Sequence, residues 1–323
     1  MKKNILVTGG AGYIGSHIVE LLLKKNYNVF IIDNLSTGSL QLINKKARFY
    51  KLDISKTKKV RKIIQTNNIT SIIHLAAYLS VSESEKKPKK YYKNNVSGTL
   101  NLLKACINTK VKVFLFSSTC AVYKDGVLKV DENTKLSPKS VYGKTKLTGE
   151  NLIKSYSKKF NFNYGIFRFF NVAGASSSKK IGLIKKADQL FKNLSIAFLK
   201  KNPQVYIYGN KYNTPDGTCI RDYIHVSDIA DIHIKTLNKI FNVKKSIILN
   251  CGYGYGISVL KVINIFKKVT KKKIKIIVKT KRKGDMEKII SVSKKLKSFI
   301  NWKPKYSSLY TMVKSSINWE KKL

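Results

Sequence analysis

Thr8-Gly9-Gly10-Ala11-Gly12-Tyr13-Ile14-Gly15 restricts this chain more than any other stretch of its sequence. Its glycines at 9, 12 and 15 follow a short apolar run, Asn4–Thr8. They open an amphipathic stretch, Ile14–Lys25, with Ile18, Leu21 and Leu22 on one face. Glycine permits a tight turn, lets backbone approach a pyrophosphate, and packs the helix closely on the strand. The helix start then offers unpaired N–H groups and the positive end of its dipole to phosphates. The spacing is a variant of the dinucleotide fingerprint, and its place between strand and helix gives it weight. Gly9, Gly12, Tyr13, Ile14 and Gly15 are therefore expected to hold a dinucleotide.

The same rhythm continues beyond the loop. Val29–Asp33, Phe49–Asp53, Ser71–Leu75, Val111–Ser117 and Tyr164–Phe169 read as strands, and Asn95–Ile107 reads as a helix. Alternation of this kind predicts βαβ units and an α/β fold with a doubly wound parallel sheet of the Rossmann type. After about Phe170 the rhythm changes. Shorter strands (Val205–Tyr208, Ile247–Cys251, Ile274–Val278) alternate with helices (Val226–Lys239, Ser258–Val269). No Pro/Gly/Ser linker and no internal repeat intervenes. The expectation is a nucleotide-binding domain over 1–170, intimately joined to a smaller α/β substrate lobe over 171–323, with the chain crossing between them. A length of 323 residues, 43% of them hydrophobic, suffices for two lobes. No run of about 18 uncharged apolar residues occurs, so no membrane span is expected. The opening MKKNILVTGG has a short run that reaches its glycines after four residues, too few for a signal-peptide core.

Asp33 closes the second strand, 18 residues beyond Gly15. A carboxylate there accepts hydrogen bonds from ribose hydroxyls and repels a 2′-phosphate, which favours NAD over NADP. Asp53, after the third strand, is placed to meet an adenine edge or to close an ordinary strand-end turn. Further along, Tyr142-Gly143-Lys144-Thr145-Lys146 puts a phenol and an amine at i and i+4 on one helix face. Tyrosine, with a free pKa of about 10, is a poor base at neutral pH. A nearby ammonium favours the phenolate and brings it toward working range. Such a pair is common in a chain this rich in both residues. It gains meaning from following the fifth strand, which ends in Ser117-Ser118-Thr119, hydroxyls suited to bonding a substrate oxygen.

Charge needs separate treatment. The net charge is +47, and only five of the 64 basic residues are arginine (Arg48, Arg61, Arg168, Arg221, Arg282). The lysines spread along the whole chain, and phosphate or base readers lean on arginine. A Lys-, Asn- and Ile-rich vocabulary matches AT-rich codons more simply than a nucleic-acid partner, although a cationic surface still steers an anionic substrate. Four scattered cysteines (Cys106, Cys120, Cys219, Cys251) form no CxxC pair. A zinc site is not expected, and a reducing, cytoplasmic setting fits best.

Taken with Asp33-Asn34-Leu35-Ser36-Thr37-Gly38, Tyr91-Tyr92-Lys93-Asn94-Asn95-Val96, Phe116-Ser117-Ser118-Thr119 and Phe170-Asn171-Val172-Ala173-Gly174-Ala175, these motifs resemble the extended short-chain dehydrogenase/reductase family. Thr214-Pro215-Asp216-Gly217-Thr218-Cys219-Ile220-Arg221-Asp222-Tyr223-Ile224-His225-Val226 and Lys281-Arg282-Lys283-Gly284-Asp285 narrow the resemblance to its sugar-nucleotide 4-epimerases. It covers essentially the whole chain. The resemblance implies that UDP-galactose and UDP-glucose are interconverted through a 4-keto sugar over tightly held NAD. Tyr142 would be the base, Lys146 its partner and a ribose ligand, and Thr119 a relay at the 4-oxygen. It also implies cofactor contacts from Asn34, Leu35, Ser36, Thr37, Gly38, Ile54, Leu75, Ala76, Ala77, Leu79, Asn94 and Phe170. Substrate contacts are implied at Asn171, Gln189, Leu190, Tyr208, Arg221, Tyr223, Arg282 and Asp285, and the protein is implied to be a homodimer. Two of the five arginines thus fall where a diphosphate would be clamped, a task for which the planar guanidinium is suited.

The sequence departs from that pattern in places. An acidic Gly-Glu becomes Gly182-Leu183, a proline becomes Lys192, Gln189 replaces Asn or His, Leu79 a lysine, and Phe169 a tyrosine. Thr119 is followed by Cys120-Ala121 with no carboxylate, which argues against a dehydratase. Ile289, near a size-gating position, leaves N-acetylhexosamine substrates open. A reading of another class, a retired epimerase that binds NAD or RNA, rests on the basic charge alone.

Overall fold

The computed structural model describes residues 3–185, 189–281 and 286–323. They divide into two compact units, each assembled from separate stretches. One comprises Met1–Val122, Pro138–Arg168 and Ile229–Leu249, the other Tyr123–Ser137, Phe169–Asp228 and Asn250–Leu323.

In chain order the first half carries β1 (Asn4–Thr8), α1 (Tyr13–Lys24), β2 (Asn28–Asp33), β3 (Arg48–Lys51), α2 (Thr57–Thr66), β4 (Ser71–His74), α3 (Val81–Lys86) and α4 (Pro88–Tyr91). A π-helical turn at Tyr92–Ser97 leads into α5 (Gly98–Cys106), β5 (Val113–Thr119), β6 (Lys129–Val130), α6 (Val141–Phe160) and β7 (Asn163–Phe169). Next come β8 (Asn171–Ala173), α7 (Leu190–Leu199), β9 (Gln204–Tyr208), β10 (Ile220–Arg221), β11 (Tyr223–His225), α8 (Val226–Val243) and β12 (Ile247–Cys251). The chain closes with β13 (Ile257–Ser258), α9 (Val259–Thr270), β14 (Lys275–Lys279), β15 (Lys288–Ser291), α10 (Lys294–Ile300) and α11 (Leu309–Glu320).

The first unit is built on a seven-stranded sheet of order β12-β7-β5-β4-β1-β2-β3. β1 runs parallel to both of its neighbours, pairing Thr8 with Ile32 on one side and with His74 on the other. The chain therefore leaves β1 toward β2 and β3, then returns to lay β4 and β5 on the opposite side. That reversal opens a crevice at the carboxyl ends of β1 and β4, where doubly wound sheets bind ligands. Every residue of β4 and β5 is buried, as befits strands covered on both faces. Leu6, Ile32, Ile72, Phe114, Leu102 and Ile153 belong to the core around the sheet. α1 buries Ile18, Val19 and Leu22, so Val19 rather than Leu21 shares the inward face.

A polar joint lies within this core. His74 Nδ1 pairs with Thr8 Oγ1 at 2.7 Å and Nε2 with Thr99 Oγ1 at 2.9 Å, which ties β1, β4 and α5 together. Burial and the nearby Lys146 push the imidazole down to about 3, so it is neutral at physiological pH.

Strand and helix boundaries differ from the sequence reading in two informative places. β4 stops at His74, because from Leu75 the chain turns into the crevice. The helix expected to begin at Asn95 begins with a wide turn at Tyr92. There Asn95 is buried. Its Oδ1 accepts from Tyr78 N and its Nδ2 donates to Tyr78 O and Thr145 Oγ1.

The second unit contains a four-stranded sheet, β13-β10-β15-β6, and two parallel pairs, β8 with β11 and β9 with β14. At its centre the buried Asp222 carboxylate accepts from Ser291 Oγ and from the backbone N–H groups of Ser291, Tyr253 and Gly254. Among the described residues no helix is long and apolar enough to cross a membrane.

Candidate active site

At the end of β1 the chain turns through Gly9 at φ +75°. A Cβ on Gly9 would stand 2.7 Å from Ala76 N, and one on Gly15 only 2.1 Å from the Gly9 carbonyl oxygen. Only glycine lets the loop, α1 and the exit of β4 close on one another in this way. Gly12 precedes α1, and among the described residues no side chain caps that helix and no acid occupies its first turn. The N–H groups and dipole at the start of such a helix suit an anion.

Asp33 sits beside this cradle with its direction fixed. Its Oδ2 accepts from Ala11 N at 3.0 Å and its Oδ1 from Leu35 N at 2.8 Å. Leu35 adopts φ +61°, a left-handed conformation rare for a residue with a side chain. Gly38 is buried against Asp33 and Ala11, whereas Asn34, Ser36 and Thr37 are exposed. Asp53 joins the same rim, since Asn34 Nδ2 donates to its Oδ2 at 2.7 Å. It also closes a strand-end turn by accepting from Ser55 N, the second of the two readings of Asp53. The side chain of Ile54 belongs to the hydrophobic core, which leaves its backbone to meet a cofactor. Leu75, Ala76 and Ala77 lie half-buried beyond β4, and Asn94 donates to Asn95 in the wide turn. Leu79 stands 56% exposed. A cradle that a Cβ would fill, uncapped N–H groups and an oriented carboxylate together fit a dinucleotide.

α6 carries the chemistry. Ser140 caps it by accepting from Gly143 N, and Tyr142 N donates to Ser84 Oγ, which fixes where the helix starts. The Tyr142 phenol is buried, with the Thr119 side chain at the end of β5 beside it. Burial holds that phenol well above its usual range, and the neighbouring Thr119 offsets this in part. Desolvation, not the Lys146 ammonium, sets the direction of the shift. Lys146, 3% exposed, donates from Nζ to Ser117 O at 2.9 Å and lies over the Phe116 ring. Burial pushes its amine down to about 7, with Glu150 pulling the other way.

Both serines expected to bind substrate are buried, and only the Ser118 hydroxyl has a partner among the described residues. Ser118 Oγ donates to Glu150 Oε1 at 2.5 Å, and Ser117 Oγ is buried without a partner. Of the three hydroxyls on this strand end, Thr119 alone meets Tyr142. Sequence reasoning passed over Glu150 and the buried Asn95. The i, i+4, i+8 stripe Tyr142, Lys146, Glu150 is the signal that would have found the first.

In the second unit, strand ladders assemble several of the implied substrate residues. Asn171 pairs with Tyr223 across β8 and β11, and Arg221 pairs with Ile289 across β10 and β15. Arg221 Nη1 donates to the carbonyls of Ile220 and Glu287. Tyr223 is buried, its ring 5.3 Å from that of Phe191, and so contributes shape more than a reachable hydroxyl. Phe170 is likewise buried, its N–H bonded to Cys251 O. Gln189 and Leu190 form the start of α7. Tyr208 ends β9, in a different sheet from Arg221, and is exposed. Arg282 and Asp285 lie outside the described residues. Among the described residues no cluster of His, Cys, Asp or Glu could hold a metal ion, and all four cysteines are free thiols.

Comparison with known proteins agrees with this geometry. Residues 5–252 match the model of the NAD dependent epimerase/dehydratase family. The chain is 38% identical to the UDP-glucose 4-epimerase of Lactobacillus helveticus over 321 residues, 98% of this chain and 97% of that one. A crystal structure of a UDP-glucose 4-epimerase superposes with a TM-score of 0.94 at 38% identity, covering 99% of this chain and 98% of the other. The UDP-glucose 4-epimerase of Stenotrophomonas maltophila, crystallised with bound NAD and formylated UDP-arabinopyranose, gives 0.95 at 31% identity, with 99% and 98% coverage.

Proposed function

The chain belongs to the NAD-dependent epimerase/dehydratase family, and on that basis we propose that it is an isomerase that interconverts UDP-galactose and UDP-glucose. NAD is the cofactor, used and restored within each turnover, and when bound it accepts the C4 hydride and returns it to the opposite face. The chain's own residues do the rest. Tyr142 removes the 4-hydroxyl proton, and Thr119, beside the phenol, holds the 4-oxygen and relays that proton. Lys146, fixed by Ser117 O, keeps a cation within reach of the phenolate and of a ribose. Asp33 holds the adenosine ribose, and the glycine cradle takes the pyrophosphate.

The observation that carries this reading is the buried Tyr142 phenol beside Thr119, at a strand end whose backbone also binds Lys146. The unit containing most of residues 1–170 serves NAD, and the other serves the UDP-sugar through Asn171, Gln189, Leu190, Tyr208, Arg221, Tyr223, Arg282 and Asp285. Galactose metabolism in a reducing cytoplasm, by a homodimer, completes the proposal, the free thiols being in keeping with that compartment.

Purified protein supplied with UDP-galactose is expected to form UDP-glucose, with no net change in NADH absorbance. Running UDP-N-acetylgalactosamine in parallel measures the breadth of the pocket near Ile289. No product from either sugar would overturn the assignment.

A further inference from the structure

A second charged group lies directly behind the proposed base and its lysine. Tyr142, Lys146 and Glu150 occupy successive turns of α6, on one face. Glu150 is completely buried, and so is Arg168 on β7, at 0% and 1% exposure. Both carboxylate oxygens are engaged. Oε1 accepts from Ser118 Oγ at 2.5 Å and from Arg168 Nε at 3.0 Å, and Oε2 accepts from Arg168 Nη2 at 2.8 Å. This two-pronged grip joins α6 to β5 and β7 at the level of Thr119.

Burying such a pair is costly, and apolar residues would pack there as well or better, so stability alone does not account for it. Its location offers another reason. The tip of β5 is pinned to α6 at two successive residues, through Ser117 O to Lys146 and through the Ser118 hydroxyl to Glu150. The next residue is Thr119, whose place beside Tyr142 must hold while a proton moves. We infer that Glu150, clamped by Arg168, is a positioning residue that locks the end of β5 onto α6 and so fixes the mutual geometry of Thr119, Tyr142 and Lys146. The inference rests on the reading of Tyr142 as the base.

The pair also bears on the charge of Lys146. Facing that amine are Tyr142 and Glu150 from its own helix, and Phe116, Ser117 and Thr119 from β5. His74 from β4, held neutral, is also close, and Arg168 of β7 lies behind Glu150. Glu150 sustains the ammonium against desolvation. Removing its charge leaves Arg168 uncompensated and drives Lys146 to lose its proton at lower pH. Removing the charge of Arg168 does the opposite. A merely structural brace would not move the two in opposite directions.

Glu150→Gln, Arg168→Met, the apolar double variant Glu150→Leu/Arg168→Met, and Tyr142→Phe test this. Turnover of UDP-galactose is measured first. The pH midpoint for acetylation of Lys146, followed on its peptide by mass spectrometry, is measured in protein without substrate. Glu150→Gln should lower kcat about 100-fold with KM held within about twofold, the signature of a displaced reacting group. The Lys146 midpoint should fall by roughly one pH unit in Glu150→Gln and rise in Arg168→Met. Should the single variants fail to fold, the double variant keeps the core filled while removing the clamp, and its kcat should still fall. Wild-type kcat in the double variant, or midpoints that shift in the same direction in both single variants, would overturn the proposal. If Tyr142→Phe retains full turnover, the assignment of the base itself fails, whatever the Glu150 variants do. A silent double variant beside an inactive Tyr142→Phe defeats only the positioning role.

Discussion

Tyr142 and Lys146 stand one helical turn apart, yet burial shifts them in opposite directions: the phenol is pushed up and the amine down to about 7. Each shift penalises the charged form of its group. Tyr142→Phe should lower turnover by about 10²–10⁴, the contribution typical of a positioned acid–base group, while NAD remains bound. Steady-state kinetics and a spectrum of the released cofactor check both halves. Lys146 adds a stability effect with a definite sign. From about pH 7 to its unfolded value of 10.5, the unfolded chain holds a proton that the folded chain has lost, so stability rises with pH across that window. Urea unfolding of the wild type and Lys146→Met should show their difference growing in favour of the wild type between about pH 7 and 9.5. Asp33→Asn should weaken NAD by about 1.5–3 kcal/mol, as expected for a lost hydrogen bond to a charged group. It should also loosen the loop, because the carboxylate already holds Ala11 and Leu35. Calorimetric titration of NAD-depleted protein reads the affinity.

At the scale of elements, the start of α7 and the end of α11 share an anchor. Lys192 donates to Glu320 Oε2 at 2.7 Å and to Leu183 O at 2.9 Å. Trp319 Nε1 donates to the same carbonyl, and its indole packs so closely on Gly182 that a Cβ there would stand 2.6 Å away. α7 and α11 thus hold the chain at Gly182 and Leu183. Glu320→Ala leaves a buried ammonium unpaired and should cost about 3 kcal/mol, whereas Lys192→Met/Glu320→Leu should cost less. Urea midpoints of the three proteins decide it. The loop before α1 makes an equally local prediction. Gly9→Ala forces a side chain into a left-handed turn against Ala76, and should abolish cofactor retention on gel filtration.

For the whole molecule, the charge of +47 is the property least tied to the fold. A surface this cationic attracts a UDP-sugar from a distance, an effect that added ions screen. Raising salt from about 20 to 300 mM should raise KM for UDP-galactose several-fold while kcat stays level. A KM indifferent to salt would show the charge to be idle in catalysis. The homodimer is a matter for sedimentation velocity, a single species of twice the chain mass being the expected result.

Much of the fold and of the candidate site is legible in the order of residues alone. A glycine loop between strand and helix, an aspartate closing the second strand and alternating apolar runs determine a doubly wound sheet, because each rests on local periodicity and backbone sterics. The Tyr–Lys pair is visible for the same reason, since helical spacing by itself puts both on one face. Tertiary structure decided what charge and hydrogen bonding require of distant residues. It assigned Ser118 to Glu150 rather than to substrate, buried Ile54 in the core, tied Asp53 to Asn34, and let desolvation set the direction of the phenol's shift. Such outcomes depend on which groups share a water-free space, and one-dimensional spacing does not carry that information.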